Sequence, residues 1–112
     1  MHDNRMLLWE ANENATWAEG MVISIPEIVY YRTLTIDIGA TGFPGSLIGN
    51  QIRGGGIFPH PVNGLMMAYG VFAEVIDMNN VVLRTCQAVT MHPGGNNSPY
   101  SKQTVTRIWG IN

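Results

Sequence analysis

Both ends of this 112-residue chain are apolar and carry tryptophan. The first reads Met6-Leu7-Leu8-Trp9, then an Asn/Glu-rich stretch, then Ala15-Thr16-Trp17-Ala18-Glu19-Gly20 and Met21-Val22-Ile23-Ser24-Ile25-Pro26. The last reads Val105-Thr106-Arg107-Ile108-Trp109-Gly110-Ile111-Asn112. Segments this apolar gain by leaving water, at about 25 cal/mol per Å² of apolar surface. Terminal strands that lie side by side also tie down ends that would otherwise fray. The expected core therefore includes Leu8, Trp9, Ile23, Ile36, Ile108 and Trp109, with the strands bearing Trp9 and Trp109 as neighbours.

Helix signals are almost absent. No window of about eleven residues shows an i, i+3, i+4, i+7 apolar stripe free of Gly or Pro. The 13 glycines exceed the average share of about 7% and fall between β-rich runs. That pattern predicts short strands joined by turns. Strands are expected at 6–10, 21–25 (ending at Pro26, which cannot donate to a ladder) and 28–38. In the last of these, Leu34, Ile36 and Ile38 should look inward. The glycine-broken stretch 39–56 reads as a pair of long loops with one weak strand near 46–53, and Phe58-Pro59-His60-Pro61 as extended chain. Residues 66–78 and 81–90 read as a hairpin about a two-residue Asn79-Asn80 turn. That register sets Ile76 opposite Leu83, Ala73 opposite Cys86, Val75 opposite Arg84 and Glu74 opposite Thr85. Neither hairpin face is then uniformly polar, so either both faces are covered or a bulge at Gly70 shifts the register. A loop at 93–99 and a strand at 103–111 complete the chain. The expected fold is a single all-β domain spanning 1–112, an antiparallel β-sandwich of jelly-roll type.

Composition excludes several classes of function. Charged residues make up 12% of the chain, about half the usual share. Such a surface is either partly covered by a partner or rich in neutral Asn, Ser, Thr and Gly. The net charge is −2, and Arg5, Arg32, Arg53, Arg84, Lys102 and Arg107 are spread singly, so nucleic-acid binding by phosphate neutralisation is not expected. A basic membrane-binding face and a membrane-length apolar run are both missing from the sequence. The Met-His-Asp-Asn-Arg start shows no apolar signal-peptide core, so synthesis without export from a bacterial cytoplasm is expected. The single cysteine, Cys86, lies in an apolar run and should be a buried, inert thiol.

Chemistry-bearing patterns are sparse. His2, His60 and His92 show no zinc spacing. The serines stand in no nucleophile elbow, and Arg53-Gly54-Gly55-Gly56 lacks the Lys-Ser/Thr pair of a phosphate loop. Glu74 and Asp77 fall on opposite faces of their strand and cannot form one glycosidase dyad. No catalytic residue, metal site or cofactor is expected. Aromatic rings beside neutral polar groups are the pattern of sugar recognition, because rings stack on C–H faces while amides and hydroxyls bond to sugar hydroxyls. Asn96, Asn97, Ser98 and Tyr100 in one loop, with Asn63 and Tyr69 flanking another, form the candidate saccharide site. Ordinary turn chemistry also selects Asn, Ser and Pro.

The residues Leu7, Leu8, Trp9, Ala15, Trp17, Ala18, Tyr31, Arg32, Thr33, Arg107, Ile108, Trp109, Gly110 and Ile111 form a frame at the two ends. This frame resembles the small C-terminal β domain of tail and fibre proteins of phages and prophages of Gram-positive gut bacteria. It covers about a third of the chain; the family usually carries Tyr at the position of Trp109, and the middle matches poorly. The resemblance implies a non-enzymatic virion module for receptor binding on a host-cell saccharide, with a trimer favoured. A long tail body normally precedes such a domain. The chain is then either one domain of a longer protein or a small free-standing one, which would favour a capsid-decorating role. The rival expectation is a free-standing, lectin-like carbohydrate-binding domain.

Overall fold

The computed structural model describes residues 4–60, 64–95 and 97–112. The terminal strands pair as their composition demands. β1 (Arg5–Glu10) runs antiparallel to β9 (Arg107–Ile111), with Leu7 opposite Trp109, Trp9 opposite Ile108 and a bulge at Leu8 between them. β9 pairs on its other side with β3 (Thr33–Ile38), which leads through β4 (Thr41–Ile48), β5 (Gln51–Pro59) and β6 (Met66–Val75) to β7 (Asn80–Met91). The short β2 (Val22–Ser24) and β8 (Ser101–Lys102) both pair with β7. Every pairing is antiparallel and the fold is all-β; the helical content among the described residues is one 3-10 turn, Ile28–Tyr30. Hydrogen bonds join all nine strands into one sheet, where the sandwich layout expects two. Buried residues from distant strands, Ile36 and Leu83 among them, belong to one cluster, so the sheet curls around a shared core.

Alternation decides which side chains enter that core. On β3, Leu34, Ile36 and Ile38 are buried as expected. Ile36 faces Ile108 on one neighbour and Phe43 on the other. Ile36 and Ile108 belong to the buried cluster, while Leu8, Trp9 and Ile23 pack half-buried against it. Trp109 departs from expectation. It alternates with buried Ile108 and Gly110 and so stands on the outer face, opposite Thr35. There its indole N–H donates to Asp37 Oδ2 at 3.0 Å, and the Arg5 guanidinium lies 4.2 Å from the ring centroid. The buried tryptophan is instead Trp17, at 0% exposure, whose N–H donates to the Met21 carbonyl at 2.9 Å and whose ring meets Trp9 edge-on at 5.8 Å. Trp109→Phe keeps the packed ring but removes a donor to a carboxylate. It should cost about 1.5–3 kcal/mol in urea unfolding, the range for hydrogen bonds to charged groups.

Four further expectations are corrected. Residues 28–30 form the 3-10 turn, and the strand begins at Thr33. The stretch 39–56 lies on two long paired strands, not loops with one weak strand. Some of its glycines serve packing: a Cβ on Gly54 would stand 2.7 Å from Ile36 Cδ1, so the bare backbone makes room for that side chain. Gly49, at φ +64°, is a true turn residue between β4 and β5. The β6–β7 hairpin turns around Asp77, whose carboxylate accepts the Asn79 and Asn80 amides at 2.9 and 3.0 Å. Beyond that turn Ala73 faces Leu83, Arg84 is the bulged residue, and Cys86 faces Val71. The bulge therefore lies at Arg84, not Gly70. The expected last strand is shorter, with Val105 making an isolated bridge to Trp17.

Candidate functional site

The outer face of the sheet carries one continuous cross-strand row. Register places Thr33 beside Ser46, Ser46 beside Arg53, Arg53 beside Phe72 and Phe72 beside Thr85. These side chains point away from the core because their neighbours Leu34, Leu47, Ile52, Val71 and Cys86 are buried. Three depressions adjoin along this row. One of about 570 Å³ includes Val29, Arg32, Ser46 and Ile48. One of about 230 Å³ lies between Ser46, Ile48, Gln51 and Arg53. The third, about 380 Å³, runs from Arg53 to Phe72 and Thr85. Neighbouring depressions share Ser46 and Ile48 in one case and Arg53 in the other, so they follow one another as a shallow groove along the row. Ile48, 77% exposed, stands up between the first two and lines both, and the Arg53 guanidinium lies 5.4 Å from the Phe72 ring centroid.

The cations that sequence scatters singly are unevenly matched with acids. Arg84 pairs with Glu74 at 3.0 Å and Lys102 with Glu19 at 3.5 Å, while Arg107 pairs with Glu10 at 2.6 Å and lies 3.7 Å from Asp37. Arg32 and Arg53 have no acidic partner among the described residues, and both line the groove. No lining residue is acidic. Glu74 faces Gln51, one row away, but is held by Arg84. Arg53 donates to Gln51 Oε1 at 3.0 Å, which steadies the guanidinium without neutralising it.

The saccharide residues expected from sequence do not converge. Asn63 and Asn96 lie outside the described residues. Asn97 and Tyr100 are exposed. The Ser98 hydroxyl is engaged by the backbone, accepting the Thr90 amide at 2.9 Å and donating to the Thr90 carbonyl at 3.3 Å. Tyr69 stacks with Phe43 at 4.9 Å and Phe58 at 5.2 Å, a half-buried aromatic group at the rim of the core. The groove was missed because Ser46 and Arg53 fall at the two ends of the single weak strand expected at 46–53, where the structure has two strands, β4 and β5, paired Ser46 to Arg53 across a turn at Gly49. Its available signal was period-two burial: Leu34, Leu47 and Ile52 each stand next to a polar groove residue.

Other chemistry-bearing groups have structural employment. Cys86 is buried, with its thiol pushed up to about 12 by burial and by the Glu19 charge. Glu19 accepts the Cys86 amide at 3.0 Å and the Gln87 side-chain amide at 3.3 Å. The backbone bond from Cys86, then the Lys102 charge, hold its pKa below the ordinary 4.5 despite opposing desolvation. A carboxylate with a lowered folded-state pKa adds stability above its unfolded value, and this is lost as pH falls through the folded value. Urea midpoints followed below pH 4.5 should therefore fall less steeply for Glu19→Gln than for the parent chain. His60 and His92 follow the Pro59–Met66–Met91 row at the same end of the sheet, two strands apart. No group of three His, Cys, Asp or Glu side chains among the described residues could hold a metal ion.

No protein-family model matches this chain, and neither does any curated protein or solved structure.

Proposed function

We propose that this chain is a non-enzymatic phage or prophage virion module, a tail or fibre domain that self-associates and presents one surface to a host-cell glycan. The observation that carries the reading is the convergence of the residues bearing the resemblance to tail-fibre domains. They come from both ends and one internal stretch of sequence, yet they form one body: β1, β9 and the start of β3 are sheet neighbours. The Tyr31 ring packs so closely over Gly110 that a Cβ there would stand 2.5 Å from ring carbons. Trp17 and Trp9 touch edge to face. A chance scatter of similar residues need not be mutually dependent in this way.

Self-association is supported by the edge strand. Among the described residues β1 ends the sheet and pairs with β9 alone, and it exposes Met6 and Leu7 at 49% and 42%. Natural edges usually carry charge or proline to prevent pairing with other chains. Arg5–Glu10 has charge only at its two ends. The choice of three subunits rests on the resemblance, with closed symmetry the default for homo-oligomers. Light scattering on a column eluate should give three times 12.3 kDa. A mass of 12.3 kDa that persists on concentration removes the assembly claim. Excess purified chain should also compete with phage particles for adsorption to host cells; undiminished adsorption removes the receptor-binding claim.

A further inference from the structure

We propose that the outer-face groove between Arg32 and Arg53 binds an anionic glycopolymer, gripping two negatively charged units of one chain. This rests on the host-surface reading above and names the ligand class. Four observations carry it. Arg32 and Arg53 both lack acidic partners among the described residues, whereas Arg84, Lys102 and Arg107 each have one. Both line one groove that has no acidic lining residue. In a protein of net charge −2, these two cations stand against a net charge of −2 − 2 = −4 on the rest of the chain. Finally, Thr33, next to Arg32 in sequence, and Arg53 are two strands apart, with Ser46 between them.

Two strand spacings put those backbones about 10 Å apart. Arginines so placed suit two charges on one extended ligand better than a single shared anion. A guanidinium presents a planar fork that bonds carboxylate or phosphate through two parallel N–H donors, and charge-assisted bonds of this kind are the strong ones. Gln51 holds one such fork in place at 3.0 Å. Between the arginines, Ser46 offers a hydroxyl for neutral sugar oxygens and Ile48 offers apolar surface to C–H faces, and beyond Arg53 the Phe72 ring offers more. Nucleic acid is disfavoured: two cations supply little of the phosphate neutralisation on which its binding depends.

The test is fluorescence anisotropy with end-labelled polymers on the purified chain. Poly(glycerol phosphate) and polygalacturonate offer the two anion chemistries; dextran is the uncharged control and a single-stranded oligonucleotide the general polyanion. The expected result is binding to at least one anionic glycopolymer, no binding to dextran, and weaker binding to the oligonucleotide. Arg32→Gln and Arg53→Gln should each weaken glycopolymer binding about tenfold, the effect of losing one charge-assisted bond. Arg53→Lys, which keeps the charge but loses the fork, should fall between. Lys102→Gln removes the same charge elsewhere and should leave binding unchanged. Circular dichroism checks that each variant is folded. Three results would each overturn the proposal: neither glycopolymer binds, Lys102→Gln weakens binding as much as the groove variants, or the oligonucleotide binds as tightly as the glycopolymers. A negative polymer result beside a mass of three chains sinks the groove while leaving the virion reading standing.

Discussion

Replacing Trp17 with alanine should destabilise this protein more than changing any other tryptophan. The side chain is fully buried, its N–H is satisfied by the Met21 carbonyl, and its backbone bridges to Val105. Truncation removes the whole indole from the cluster and leaves a cavity that a curled sheet cannot collapse, because β-strands on several sides fix its walls. Buried Phe or Trp to Ala changes cost about 3–5 kcal/mol. Marginal domains have a total stability of only about 5–15 kcal/mol, so the variant should sit close to its unfolding threshold at 25 °C. Urea unfolding followed by far-UV circular dichroism measures this. A loss below about 1 kcal/mol, the scale of a surface substitution, would place Trp17 outside the core.

Gly55→Ala carries the second large effect, for a different reason. Gly55 has φ +145°, a conformation that side chains rarely adopt, and the Cβ of any substituent would collide with the Tyr69 carbonyl oxygen. That oxygen belongs to the backbone of β6, directly across the β5–β6 ladder, where Gly55 pairs with Gly70. No rotamer change relieves such a clash. Backbone strain costs about 1–3 kcal/mol and forced overpacking a similar amount, giving roughly 2–6 kcal/mol together. The neighbouring ring group of Phe43, Phe58 and Tyr69 should loosen with it, so near-UV circular dichroism should lose aromatic signal before the far-UV signal changes. Gly70→Ala is the control, since a Cβ there would meet nothing within 4 Å.

These two sites show why part of the fold was legible and part was not. The paired ends, the inward face of β3 and the all-β class follow from apolar content and period-two alternation, which local sequence records directly. The outward turn of Trp109 does not. Arg107, Trp109 and Ile111 share one face and Ile108 and Gly110 the other; the arginine at the start of the strand marks the outer parity, but the two apolar residues that share its face outweigh that sign in the sequence. The decision is made by Ile36 across the ladder and by the Tyr31 ring, which claims the space above Gly110. Glycine is ambiguous in the same way. Gly49 marks a turn through positive φ, while Gly54 sits in mid-strand to admit Ile36, and the letter is identical in both places. The same ambiguity makes 39–56 read as loops with one weak strand at 46–53, and hides that Ser46 and Arg53 lie on two strands paired across the Gly49 turn. The hairpin register slipped because Asp77, not the Asn pair, organises the turn, and because Arg84 bulges where it can reach Glu74. The groove is the least legible feature. It exists only once four strands are aligned, since its two unpartnered arginines stand 21 positions apart in sequence.

A virion domain that faces the host, as proposed above, can be located on the particle itself by immunogold labelling. Antibodies raised against the purified chain are applied to particles induced from the bacterium that carries its gene, and the grids are viewed by negative-stain microscopy. Gold is expected at the distal end of the tail or on its fibres. Particles that carry tails but no gold, with the antigen recovered only from the soluble fraction of the lysate, would contradict it.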